Sequence, residues 1–355
     1  TKGRCGWNIV TGYLPSANRN MGSSELPHDE RYELADEYME VVYKLLEGSW
    51  EDDAVVLDRV TGNFANPAKI HHIGHHGKFF DVPGTHICEP SPQRTPVLFQ
   101  AGNSPRGRKF AATHAEAIFI APPTKEYAKI AVGQIRDALR AAGRDPMSAK
   151  IYLLATVITD ATEELAQAKY KDLLSYANTE GSLVINSGWL GIDLSRYKLD
   201  DRLSNLRSNA IVAQVEALSG SKTPEGTEWT LRDLIKFTGI GCQGPKIIGS
   251  PSRVADILEE FIDESGADGF NLAYATTPGT ILDVVEFVVP ELQKRGRYKE
   301  AYASGSLRNK MFGKGDRLGS EHIGSLYRVG GARSTINDFA STGRILGKME
   351  DSYVI

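Results

Sequence analysis

Cysteine is scarce, long apolar runs are absent, and neither sign of charge dominates this chain of 355 residues. The three cysteines, Cys5, Cys88 and Cys242, lie far apart with no CxxC pair. They offer no disulfide framework and point to free thiols in a reducing, cytoplasmic setting. No stretch reaches the ~18 consecutive apolar residues of a membrane span. Lys and Arg total 41 against 45 Asp and Glu, so there is no basic footprint for nucleic acid. Several catalytic signatures are missing too. There is no P-loop, and Ser104 does not sit in GxSxG. Gly239-Ile240-Gly241-Cys242-Gln243-Gly244 fits GxGxxG by spacing but precedes no helical pattern. His71-His72-Ile73-Gly74-His75-His76 has no Cys or acidic neighbours at ligand spacing, so no metal is expected.

What is present is an ordinary apolar fraction, 41%, enough for a large core. Apolar runs at Gly6–Thr11, Thr95–Gln100, Ala117–Ala121, Ile151–Thr159 and Gly269–Ala275 read as buried strands. Helical spacing follows most of them: Glu30–Leu46, Tyr127–Ala142, Glu163–Tyr176, Arg253–Glu264 with Ser252 as its cap, and Leu282–Lys294. Alternation of this kind predicts an α/β fold with a parallel sheet. A (β/α) barrel uses eight strands over about 250 residues, and the strands counted here fall about three short. Two insertions, at about 50–92 and 177–249, take up length. The first holds a short strand pair around Lys78–Glu89, the second a helix over Ser208–Leu218. From Ala301 the chain is basic and Gly-rich without strong periodicity, and it is expected to wrap the surface or be partly disordered.

Residues 98–120 are the most informative stretch. An apolar run ends in Gln100-Ala101-Gly102, and Ser104-Pro105 then opens a helical pattern. Ser is a favoured N-cap and Pro a favoured first residue. Gly102 lets backbone approach a ligand, and the free N–H groups of such a joint attract phosphate. An ordinary βα turn with a cap is the competing reading. His28 and Tyr32 are four apart at the start of a helix, so they share a face and could hold a heteroaromatic ring or a phosphate. Equally, they fit a capped helix with a Tyr on its apolar stripe. Asn8 falls inside a strand pattern, where a buried amide needs a partner that a ligand or a neighbouring residue would supply. A phosphate turn without a nucleophile or metal set suits an enzyme whose cofactor carries the chemistry.

The residues Gly6-Trp7-Asn8-Ile9-Val10-Thr11, Asn20-Met21-Gly22, His28-Asp29-Glu30-Arg31-Tyr32, Trp50-Glu51-Asp52-Asp53-Ala54, Gln100-Ala101-Gly102-Asn103-Ser104, Asp268-Gly269-Phe270-Asn271 and Val289-Pro290-Glu291-Leu292 follow in an order that resembles one family. It is the nitrilotriacetate/dibenzothiophene-sulfone monooxygenase branch of the bacterial-luciferase-like flavin monooxygenases. The resemblance implies a TIM (β/α)8 barrel with insertions over 1–328, lacking its first three strands in this chain, and a separate C-terminal tail over 329–355. It also implies a homo-oligomer that binds reduced FMN delivered by a separate NAD(P)H:flavin reductase. Dioxygen then gives a C4a-(hydro)peroxyflavin, which oxygenates an aminopolycarboxylate, an organosulfur compound or an alkane. A flavin-binding paralogue without turnover and a deazaflavin (F420)-dependent dehydrogenase are the alternatives. Position by position, Ser104 matches the residue holding the FMN phosphate, with Gly102 in the same turn. Arg106 departs from relatives and would add a phosphate contact. His28 and Tyr32 match flavin contacts, His28 also near the reacting ring, and Asn8, joined by Thr11, matches a contact beside the ring.

Overall fold

The computed structural model describes residues 1–334 except 13, 103, 206–217, 219–220, 224–225 and 242. Cys242 and the tail from residue 335 lie outside the described residues, as does the helix expected over Ser208–Leu218, apart from Leu218 itself. In chain order the strands are β1 (Gly6–Ile9), β2 (Val55–Asp58), β3 (Asn63–Ala65), β4 (His75–His76), β5 (Asp81–Val82), β6 (Val97–Ala101), β7 (Ala117–Ile120), β8 (Lys150–Thr159), β9 (Lys246–Gly249) and β10 (Gly269–Ala273). The longer helices are α1 (Pro15–Asn20), α2 (His28–Tyr43), α3 (Pro105–His114), α4 (Lys125–Ala141), α5 (Glu163–Ser175), α6 (Thr179–Leu190), α7 (Leu231–Thr238) and α8 (Pro251–Ser265). The main sheet runs β1-β6-β7-β8-β10, with β9 also paired to β8. The β6–β7, β7–β8, β8–β9 and β8–β10 pairs are parallel, as the β–α alternation requires.

The chain divides into two compact units. One comprises Thr1–Trp7, Glu30–Leu98 and Ala303 onward, the other Asn8–Asp29 and Phe99–Tyr302. In the second unit the sheet buries one face under helices. Ile118 and Ile120 of β7 and Ile151 and Leu153 of β8 pack with Ala111 and Ala112 of α3, Ile135 and Leu139 of α4 and Phe261 of α8. Each such Ile or Leu contributes roughly 1.5–3 kcal/mol on burial. Register places Phe119 beside Tyr152 and Ile118 beside Ile151. Successive side chains alternate faces, so the aromatics point to the opposite face. There Phe99 stacks on Phe119 at 5.2 Å, and Phe119 lies 6.1 Å from Tyr152. A separate apolar cluster, including Leu190, Leu194, Leu203, Trp229, Leu231 and Leu234, forms within the second insertion around α6 and α7.

In the first unit α2 buries Tyr32, Ala35, Met39 and Tyr43. Tyr43 stacks on Tyr327 at 5.8 Å. The strand pair expected around Lys78–Glu89 forms instead between β4 and β5, and β2 pairs with β3 in a second hairpin. Two-residue strands leave too little alternation to be located by pattern. The His71–His76 run is engaged with carboxylates by hydrogen bonding: His71 with Glu51, His75 with Glu37 and His76 with Asp81. Glu37 also accepts from Phe79 and Phe80 N–H. Burial pushes its carboxyl up, but the hydrogen bonds from His75 and the two amides outweigh this and hold it below the usual range. Among the described residues no group of three or more His, Cys, Asp or Glu could hold a metal ion.

Three further expectations are corrected. Ser250, not Ser252, caps α8, accepting from Arg253 N–H with Pro251 in the first turn. The segment Leu282–Lys294 starts earlier, at Gly279, and opens into a π turn over Val284–Val288. The segment from Ala301 is ordered as far as it is described, with a helix over Leu307–Phe312 and a 3-10 turn over Ile323–Tyr327. Its anchors are long-range, so local periodicity does not reveal them.

Candidate functional site

β6 ends at Ala101, Gly102 follows, and Ser104 caps α3. The Ser104 side chain accepts from Gly107 N–H at 3.1 Å, and its backbone carbonyl accepts from Arg108 N–H. Pro105 at the first position donates nothing, and no acidic residue occurs in the first turn. Arg106 lies in that turn, half-buried. The start of α3 therefore gathers donors and positive charge around Ser104, which is 6% exposed.

His28 reaches this serine from the first residue of α2. Its Nε2 stands 3.4 Å from Ser104 Oγ, joining residues 76 apart in sequence within the second unit. On the other side of the ring, Nδ1 lies 2.8 Å from Asp29 Oδ1. A carboxylate only accepts, so Nδ1 carries a hydrogen in this arrangement. Asp29 was not among the sequence-based candidates. Its one sequence signal is adjacency to His28 at a helix start.

The other expected residues fall less neatly together. Asn8 is exposed, so the expectation of a buried strand amide is corrected. β1 stands at an end of the strand path, and alternation turns Ile9 to the buried side and Asn8 away from it. Thr11, just past β1, and Gly102 are half-buried. Neither Asn8 nor Thr11 hydrogen-bonds His28 or Ser104 through its side chain among the described residues. Tyr32 is buried one helical turn beyond His28 but belongs to the first unit, so the expected pair is divided between the two units. The aromatic row Phe99, Phe119 and Tyr152 also escaped the sequence analysis. Its signal is weak, because alternate positions on three different strands become neighbours only once register is known. Burial, then the Asp268 charge, pushes the Tyr152 phenol up.

Ser104, His28 and Arg106 are residue types that can serve a phosphate, and no carboxylate lies in the first turn of α3. Comparison with known proteins gives the wider context. The luciferase-like monooxygenase family matches residues 1–269. A dimethyl-sulfide monooxygenase of Hyphomicrobium sulfonivorans is 51% identical over 330 residues, covering 92% of this chain and 68% of its own. A long-chain alkane monooxygenase of Geobacillus thermodenitrificans (strain NG80-2) is 44% identical over 330 residues, covering 92% and 70%. Among solved structures, a riboflavin lyase with modified FMN and the substrate riboflavin matches at a TM-score of 0.83 and 34% identity, over 91% of this chain and 71% of that one. No helix among the described residues is long and apolar enough to cross a membrane.

Proposed function

This chain belongs to the luciferase-like monooxygenase family, and from that premise we propose that it is the oxygenase of a two-component flavin system. It takes reduced FMN from a separate NAD(P)H:flavin reductase, works as a homo-oligomer and oxygenates a small organic substrate. The names of two relatives make dialkyl sulfides and alkanes the first substrates to assay. The observation that carries this reading is the meeting of His28 with Ser104 at the first turn of α3.

Reduced FMN supplies the electrons that activate dioxygen. The work of this chain is to hold the cofactor in place. Ser104 donates its hydroxyl to the phosphate, His28 backs that hydroxyl, and Arg106 adds a guanidinium from the same turn. Gly102 lets the backbone come close. Asn8 and Thr11 at the end of β1 are assigned to the ring side of the cofactor. His28 acts as a hydrogen-bonding group here, not as a general base.

Titration of the protein with FMN and with riboflavin tests this directly, since the two differ by the phosphate. Ser104→Ala is expected to weaken FMN by about 1–3 kcal/mol while leaving riboflavin unchanged. Equal FMN affinity in the variant and the parent would remove Ser104 from the phosphate site.

A further inference from the structure

Gln100 places an amide on the apolar side of the sheet. Register sets it beside Ile118, which belongs to the cluster packed under the helices. The residue is 3% exposed. Its Nε2 donates to Ala101 O at 3.0 Å, and no donor reaches its Oε1 among the described residues. A buried acceptor left empty is destabilising, and an apolar side chain of the same length would avoid it. The one hydrogen bond that Gln100 makes goes to the peptide joining Ala101 to Gly102, which leads into the Ser104 turn. That peptide is trans, since among the described residues only Thr277-Pro278 is cis. In a trans peptide the C=O and the N–H point in opposite directions. Holding Ala101 O toward Gln100 therefore holds Gly102 N–H away from it. Ala101 is exposed and Gly102 half-buried, so this peptide lies where β6 emerges from the core.

Resting on the reading above that the FMN phosphate binds at the start of α3, we propose that Gln100 is a positioning residue. By holding Ala101 O it aims Gly102 N–H at the bound phosphate. Gly102 has no Cβ, so an anion can come within hydrogen-bond range of its amide. Turning the Gln100 amide over does not give the same arrangement. Oε1 would then face Ala101 O, two acceptors with no hydrogen between them. An apolar side chain at this position releases the carbonyl, and the peptide is free to turn its N–H off the anion. Gln100 acts through the backbone and does not touch the phosphate. The empty Oε1 is stability given up for a fixed peptide at the site.

Gln100→Met keeps the length of the side chain and removes both polar atoms. It is expected to bind FMN roughly three- to thirtyfold more weakly than the parent, with riboflavin affinity unchanged. Its urea midpoint is expected to hold or rise, since no side-chain acceptor is left empty. FMN bound equally well by the variant and the parent would overturn the proposal. So would a lower midpoint with an equal loss for FMN and riboflavin, which is what a merely structural role gives. Isotope-labelled glycine reads the peptide directly by NMR. The Gly102 amide, assigned by its absence in Gly102→Ala, is expected to shift when the parent is titrated with inorganic phosphate, and to stay in place in Gln100→Met. A Gly102 amide unmoved by phosphate in the parent refutes the proposal even if the methionine variant does not fold. If Ser104→Ala weakens FMN while Gln100→Met is silent, the role of Gln100 fails alone. If Ser104→Ala is also silent, the phosphate reading fails with it.

Discussion

Arg308 is 2% exposed and spends its donors on backbone carbonyls. One arm donates to Asp316 O at 2.6 Å, the other to Thr95 O and Pro96 O at 3.0 Å. Truncation leaves these carbonyls short of a donor and opens a void where the side chain packed. Arg308→Ala is expected to cost about 2–4 kcal/mol in a urea unfolding titration. Arg308→Lys is also expected to destabilise, because an ammonium cannot span three acceptors as a planar fork does. An unchanged midpoint for both variants would show the carbonyls to be satisfied without Arg308. Ser104 likewise has two tasks, capping α3 through Gly107 N–H and facing His28. A Ser at a helix start is legible from sequence, but the histidine that faces it is not.

At the scale of elements, Asp52 ties the segment after α2 to two distant arginines. Its Oδ1 accepts from Arg94 Nη2 at 2.9 Å and Arg317 Nη1 at 2.8 Å. Burial pushes the Asp52 carboxyl up, but the hydrogen bond and charge of Arg317, then those of Arg94, bring it below the usual range. A carboxyl lowered by folding contributes stability above its unfolded value and loses it as pH falls through the folded one. The stability gap between the parent and Asp52→Asn is therefore expected to be largest near neutrality and to close below about pH 4. A gap independent of pH down to about pH 2 would contradict this assignment. Elements set by local chemistry were legible in the sequence. The cap and proline of α3, the period of α4 and the apolar runs of β7 and β8 fall within a residue or two of expectation. Elements set by distant partners were not. β9 is four residues long and takes its place from pairing with β8. The helix over Leu307–Phe312 is fixed by the anchors of Arg308, far away in sequence.

Across the whole chain, family membership and the mixed α/β architecture agree with what the ordered motifs implied. The site was legible in part. Ser104 and His28 were marked by residue type and position, and the fold brings them together in one unit. Asn8 was marked for burial that an end strand does not provide. Asp29, Phe119 and Tyr152 went unmarked because their significance lies in what they touch. The central claim is that the start of α3 holds the phosphate of FMN. A crystal structure of the protein soaked with FMN measures this most directly. The account expects the phosphate within about 2.7–3.1 Å of Ser104 Oγ and of an amide in the first turn of α3. A bound flavin whose phosphate lies away from that turn would contradict it.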